Sequence, residues 1–170
     1  MIFDVFTSDA VLSGTVPATG SITGQAALPV AGTPVVSTNS IDLLQARDVG
    51  EGGDLYVCFT IVEAYNTLTS LEMEVIVAGN GALTTTPKAV GSSGRILLAD
   101  GLNVVGSQFY VRINPLFLEP TAFADALGQR FLGARYQTFG STPTTGSICA
   151  YLTMDVQDGR KSYPSGFSVQ

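Results

Sequence analysis

Two stretches hold the residues with the clearest chemical potential. Glu72 and Glu74 stand two positions apart, and Asp48-Val49-Gly50-Glu51-Gly52-Gly53-Asp54 sets three acids among glycines, with Asp42 upstream. A carboxylate pair about 5–9 Å apart is the equipment of a glycosidase. The i, i+2 spacing of Glu72 and Glu74 permits such a gap, and it equally suits the solvated face of a strand. Three carboxylates around glycines could ligate Ca²⁺, which takes about six to eight oxygens in flexible geometry. The run lacks the spacing of an EF-hand loop. It also reads as an exposed turn, where glycine supplies positive φ and the acids keep a sheet edge soluble. Tyr56, Tyr110, Tyr136 and Tyr151 could form an exposed platform for stacking sugars, or fill a sheet face or an interface.

Other chemistries are excluded outright. The chain has no histidine, so Ser-His-Asp and Cys-His arrangements are impossible and the commonest metal ligand is missing. Gly50-Glu51-Gly52-Gly53 has neither the spacing nor the lysine of a phosphate cradle. The expectation is a protein that is not an enzyme and carries no cofactor and no metal.

The elements that would position these groups are strands. Leu55, Val57, Phe59 and Ile61 alternate with Tyr56, Cys58, Thr60 and Val62. Period two separates the two sets onto opposite faces. Even the second set is mostly apolar, so Leu55–Glu63 is expected to be a central strand covered on both sides. Ser70 to Ala78 alternates Leu71, Met73, Val75 and Val77 inward with Glu72 and Glu74 outward, the pattern of a half-buried antiparallel strand. Ser107–Ile113, Arg130–Thr138 and Ile148–Val156 alternate similarly, and 40–43 reads as a short strand. Gly79-Asn80-Gly81 and Gly91-Ser92-Ser93-Gly94 read as turns, with an edge-like segment between them and a short strand at 95–98. Residues 120–128 suit one or two helical turns, with Pro120 near the start and Gly128 at the end. Seven or eight strands at short spacing specify an all-β fold: an antiparallel β-sandwich of jelly-roll type with at most short helices.

Residues 1–170 are read as one domain: an N-terminal arm at 1–35, a core sandwich at 36–157 and a tail at 158–170. No charge occurs between Asp9 and Asp42, while Pro17, Pro29 and Pro34 forbid a helix there. Such a stretch is either an extended arm that orders on a partner or a long surface loop.

Fourteen acidic against eight basic residues give a net charge of -6. That disfavours nucleic acid, whose phosphates need clustered Lys and Arg, and anionic membrane. Charged residues make up only 13% of the chain, and mean hydropathy is positive. No apolar run approaches the ~20 residues of a membrane helix. The excess apolar surface goes either to a subunit interface or to an ordinary all-β core. The start Met-Ile-Phe-Asp-Val-Phe lacks the basic and apolar regions of a signal peptide. Cys58 and Cys149 are therefore read as reduced, buried thiols, with a disulfide as the alternative.

Two blocks carry a family likeness. Val36-Ser37-Thr38-Asn39-Ser40-Ile41-Asp42-Leu43, with Ala46-Arg47-Asp48-Val49-Gly50 and Leu55-Tyr56-Val57, resembles the opening of the capsid cement (decoration) proteins of tailed bacteriophages. Arg130-Phe131-Leu132-Gly133-Ala134-Arg135-Tyr136 and Ala150-Tyr151-Leu152-Thr153-Met154-Asp155-Val156-Gln157 are similar to later strands of the same family. The likeness spans 36–157. The 11–34 and 116–128 segments are longer than the family's usual connections, so their contacts do not carry over. The resemblance implies a jelly-roll virion protein, made in the host cytoplasm and bound to the capsid exterior. It would clamp neighbouring major capsid protein subunits and self-associate, as a dimer or another small oligomer. Ile2, Phe3 and Phe6 at one end, and Tyr163 and Phe167 at the other, are the expected interface anchors; otherwise they cap the domain's own core. The alternative function is a carbohydrate-binding β-sandwich module.

Overall fold

Alternating apolar residues become the long strands of two packed sheets. The computed structural model of the chain describes residues 11–15, 23–26, 32–43, 55–113 and 130–153. In chain order the strands are β1 (Val11–Ser13), β2 (Val35–Val36), β3 (Ile41–Asp42), β4 (Leu55–Glu63), β5 (Leu68–Ala78), β6 (Lys88–Leu97), β7 (Gln108–Ile113), β8 (Phe131–Gly140) and β9 (Ser147–Thr153). The helical element among the described residues is one 3-10 turn, Leu98–Asp100.

The first sheet runs β1-β9-β4-β7 and the second β2-β8-β5-β6, with β3 also on β8. Their strand pairs are antiparallel. β2 and β3 lie on different stretches of β8, so together they act as one interrupted edge strand. The chain is thus an all-β antiparallel sandwich.

β4 is the interior strand its pattern anticipates, between β9 and β7. Leu55, Val57 and Phe59 enter the core shared with Leu71, Met73, Val75 and Val77 of β5. On the opposite face Cys58 and Thr60 are buried and Tyr56 and Val62 half-buried. Fully burying one such apolar side chain contributes about 1.5–3 kcal/mol, and this shared layer holds the two sheets face to face.

Three expectations need correction. The core does not begin at residue 36. Val11–Ser13, placed in the arm, is β1 on β9, and Leu12 is fully buried. An uncharged chain can enter its own core as readily as a partner's, since no charge must be desolvated. Polar side chains fix it there. The Asn39 N–H donates to the Leu12 carbonyl at 3.0 Å, and Asn39 Nδ2 donates to the Val11 carbonyl at 3.2 Å. Gln25 pairs its backbone with Ile148, while its amide donates to the Val36 carbonyl and accepts from the Thr38 N–H. These contacts stitch the two sheets along one long side.

The Gly91–Gly94 turn is also absent, because β6 runs straight through it as a bulged edge strand. Hydroxyls compensate the disturbed ladder. Ser93 Oγ accepts the Met73 N–H at 3.1 Å, and Ser92 Oγ donates to Glu72 Oε1 at 2.7 Å. A Cβ on Gly91 would sit 2.7 Å from a Val111 methyl. The glycine is there so that β6 can cross against β7, closing the second long side.

Tyr136 is not a surface ring. It is fully buried, edge-on to Phe59 with centroids 6.1 Å apart, and its hydroxyl donates to Ser13 Oγ.

The five anchors Ile2, Phe3, Phe6, Tyr163 and Phe167, the acidic 48–54 run, and the 116–128 segment with its helical turns lie outside the described residues.

Candidate functional site

Antiparallel pairing alternates the connections between the two ends of the sandwich. Residues 64–67, 98–107 and 141–146 join strands at one end, and the chain leaves β1 and re-enters β2 there. Residues 79–87 join strands at the other. The described connections 64–67, 98–107 and 141–146 carry one charged residue, Asp100, and the exposed Glu63 ends β4 beside them.

The first end is tightly cross-linked. Asn66 Oδ1 accepts the N–H groups of Thr144 and Thr145 at 2.8 and 3.1 Å, and its amide donates to Thr144 Oγ1 at 2.8 Å. Thr67 Oγ1 donates to the Thr142 carbonyl, and Thr145 Oγ1 to that of Ala64. Asn103 brackets the Tyr65 peptide: it accepts from the N–H at 2.9 Å and donates to the carbonyl at 2.7 Å. Side-chain amides suit this work because each offers donors and an acceptor on one planar group. Asn66→Ala should therefore cost about 0.5–1.5 kcal/mol, because the N–H groups of the exposed Thr144 and the half-buried Thr145 lose their acceptor. A lowered urea midpoint with an unchanged m-value would show it.

A preformed turn projects from this frame. The Ser107 N–H donates to the Val104 carbonyl at 2.9 Å, and Gly106 takes φ +88° at the third position. Gly106 and Ser107 are each bonded to the backbone of Ile61. Positive φ at that position is the signature of a type II turn. At its tip Val104 and Val105 are 55% and 62% exposed, and Leu97 at the end of β6 is 44% exposed. Sequence reading missed this pair. The signal was two adjacent valines ahead of a glycine, in a connection where polar residues are usual.

The carboxylate pair is already committed. Glu74 Oε2 takes the Arg135 guanidinium at 2.6 Å, and Glu72 takes the Ser92 hydroxyl. Asp42 is held by Arg130 through two hydrogen bonds. Among the described residues, no three Cys, Asp or Glu side chains group as a metal site.

The remaining tyrosines share the outer face of the first sheet. Cys58 pairs with Tyr110 on one side and Tyr151 on the other, and Tyr56 pairs with Arg112 and Thr153. Cys58 and Cys149 are both free and buried. Cys149 stands opposite Thr60, so the thiols are diagonal neighbours. Diagonal positions lie about 7–8 Å apart, too far for a disulfide without backbone movement. Burial pushes the Cys149 thiol up to about 12 and raises that of Cys58, so neither is a ready nucleophile.

Among the described residues, no helix is long and apolar enough to cross a membrane. No protein-family model matches the chain, and no curated protein matches it.

Proposed function

We propose that this chain is a structural virion protein, bound to the outside of a tailed-phage capsid, where it clamps neighbouring major capsid protein subunits and stabilises the head. It acts by adhesion and not by catalysis. One observation carries the reading: a hydrogen-bonded turn that exposes Val104 and Val105, on a chain whose Asp42, Glu72 and Glu74 already face internal partners. A preordered surface loses little entropy on docking, and repetition over a closed shell multiplies modest contacts through effective concentration.

Other features support it. With β2 and β3 counted as one strand of eight, the sheets pair first with eighth, second with seventh, third with sixth and fourth with fifth. A jelly roll pairs its strands in this order, which supports the architecture that the resemblance over 36–157 implies. Arg130 and Arg135 are tied to carboxylates, and Arg95 lies over the Phe139 ring. Basic groups so occupied do not make a phosphate track, which suits the exterior of a shell and no contact with its nucleic acid. Self-association, with a dimer expected, belongs to the same proposal.

The carbohydrate-binding alternative has one observation in its favour, the common face of Tyr56, Tyr110 and Tyr151. Its fourth ring, Tyr136, is buried, and the Tyr110 hydroxyl donates to Gln108.

The test uses shells assembled without this chain. Adding the purified protein should raise their melting temperature by several degrees in calorimetry. An unchanged melting temperature at saturating protein would remove the proposal.

A further inference from the structure

We infer that the Gln25 side chain is an edge plug: its amide occupies the outer hydrogen-bonding edge of β2 and keeps a second copy of this chain from adding a strand there. The inference stands apart from the proposed function, and its test needs no shell.

The ladder defines the edge. β2 pairs antiparallel with β8, and the Ser37 N–H donates to the Ala134 carbonyl of β8 at 2.8 Å. Successive residues of an antiparallel strand direct their backbone groups to opposite sides. The Val36 carbonyl and the Thr38 N–H therefore point away from β8, toward the open edge. Gln25 Nε2 donates to that carbonyl at 2.9 Å, and Gln25 Oε1 accepts from that N–H at 2.8 Å. One side-chain amide thus takes both bonds that a residue of an added strand would take. It is held from behind. The Gln25 N–H donates to the Ile148 carbonyl of β9 at 2.8 Å, and the Ile148 N–H donates back to the Gln25 carbonyl at 3.0 Å. The plug is anchored in the first sheet and closes the edge of the second.

An open edge at this place would recruit another chain. Unpaired N–H and C=O groups template strand pairing, and native edges are blunted with charge, proline or bulges. β6 carries those devices: Pro87 ahead of it, Lys88 at its start and two register shifts along it. The β2 edge has Pro34 ahead of it but no charge, since none occurs between Asp9 and Asp42. Val35, Val36 and Thr38 are β-branched, which favours pairing. The chain excluded is a second copy of the same window. Two copies related by a two-fold axis would set Val36–Thr38 antiparallel to its own image, donor facing acceptor. The window offers one carbonyl and one N–H, so a single amide suffices to fill it.

The experiment compares wild type, Gln25→Met and the double variant Gln25→Met/Thr38→Lys, each as the full chain. Methionine has the reach of glutamine and keeps the backbone pairing with Ile148, but it offers no donor and only a weak acceptor. Sedimentation velocity over a concentration series reads association, with the wild type as baseline, and thermal unfolding reads the fold. Hydrogen exchange of the wild type reads the plug itself, because Thr38 is exposed and its amide is protected by the Gln25 bond. That N–H should exchange at least about a hundredfold more slowly than an open-chain amide. Gln25→Met should stay folded and self-associate at least about tenfold more tightly than wild type. Adding Thr38→Lys, which charges the exposed edge, should return association to the wild-type level. An unprotected Thr38 amide in the wild type overturns the inference. So does unchanged association in a folded Gln25→Met, or new association that Thr38→Lys leaves in place. Loss of the fold in Gln25→Met overturns it too, since the amide would then be a structural clamp and not a plug.

Discussion

Gly146→Ala is expected to destabilise the sandwich by roughly 2–6 kcal/mol, a large part of the roughly 5–15 kcal/mol that holds a domain together. Two costs add at this position. Gly146 has φ +136°, a region L residues rarely adopt, and forcing one there costs about 1–3 kcal/mol. The new methyl would also stand 2.3, 2.5 and 2.6 Å from three carbons of the Tyr65 ring. Nothing nearby can yield easily. The ring is 4% exposed in the main core, and Asn103 clamps its peptide from both sides. Overpacking of this kind typically costs about another 1–3 kcal/mol. Gly101 provides the control. Its φ is +69°, but an added Cβ meets nothing within 4 Å, so Gly101→Ala should cost only the backbone share, about 1 kcal/mol. Urea unfolding of both variants separates the terms. In a Tyr65→Leu background the packing share of Gly146→Ala should shrink, a coupling that a double-mutant cycle reads directly. A Gly146→Ala variant less than about 1 kcal/mol below wild type would refute the ring-contact account.

The same contacts show which parts of this fold were legible in the chain. β4, β5, β7, β8 and β9 declare themselves because five or more residues alternate, and alternation is a local property. Leu55–Glu63 even reveals its interior place, since both of its faces are apolar. β1 is three residues long and cannot show a period. Its position depends on pairing with β9 and on Asn39, a hydrogen-bond partner of Val11 28 residues away in sequence. β6 was obscured by its composition: Gly-Ser-Ser-Gly is turn chemistry in isolation, yet here the serine hydroxyls patch a bulged edge and Gly91 admits Val111. The outward face of β5 holds a similar surprise. Ile76 and Ala78 are buried there, under Leu83 from the 79–87 connection. Leu83 fits only because Gly133 presents no side chain, since a Cβ would stand 2.2 Å from a Leu83 methyl. The candidate site was half visible. Val104-Val105 can be seen in the sequence. That the connections 64–67, 98–107 and 141–146 gather at one end follows only from strand order, which is a long-range fact.

The other large effect is alkaline. Stability should hold to about pH 9 and then collapse, with unfolding complete by about pH 12. The cause lies in buried acids that must stay protonated. Burial holds the Tyr65 and Tyr136 hydroxyls far above the ordinary tyrosine value of 10.0. Tyr136 also raises Tyr65, and Cys149 raises Tyr136, while the Ser13 hydrogen bond only partly offsets burial at Tyr136. The sign follows directly. A folded pKa above the unfolded one means the native state binds its proton more tightly. The stabilisation is whole below pH 10 and is lost as pH climbs from the unfolded value toward the folded one. Each such group removes about 1.4 kcal/mol per pH unit, so Tyr65 and Tyr136 together remove about 3 kcal/mol per unit. The thiols begin earlier, from their ordinary 9.0, with Cys149 protected up to about 12. Tyr151 is raised by burial too, but it is half-buried and solvent screening reduces its share. Stability from urea unfolding should be level to about pH 9 and fall with that slope above about pH 10, and Tyr136→Phe should flatten it by about one group's worth, about 1.4 kcal/mol per pH unit. Tyrosinate absorbance should rise together with the loss of far-ultraviolet circular dichroism. If every tyrosine ionised near pH 10 in a chain that kept its strand signal, the buried pair at the heart of this sandwich would have to be wet.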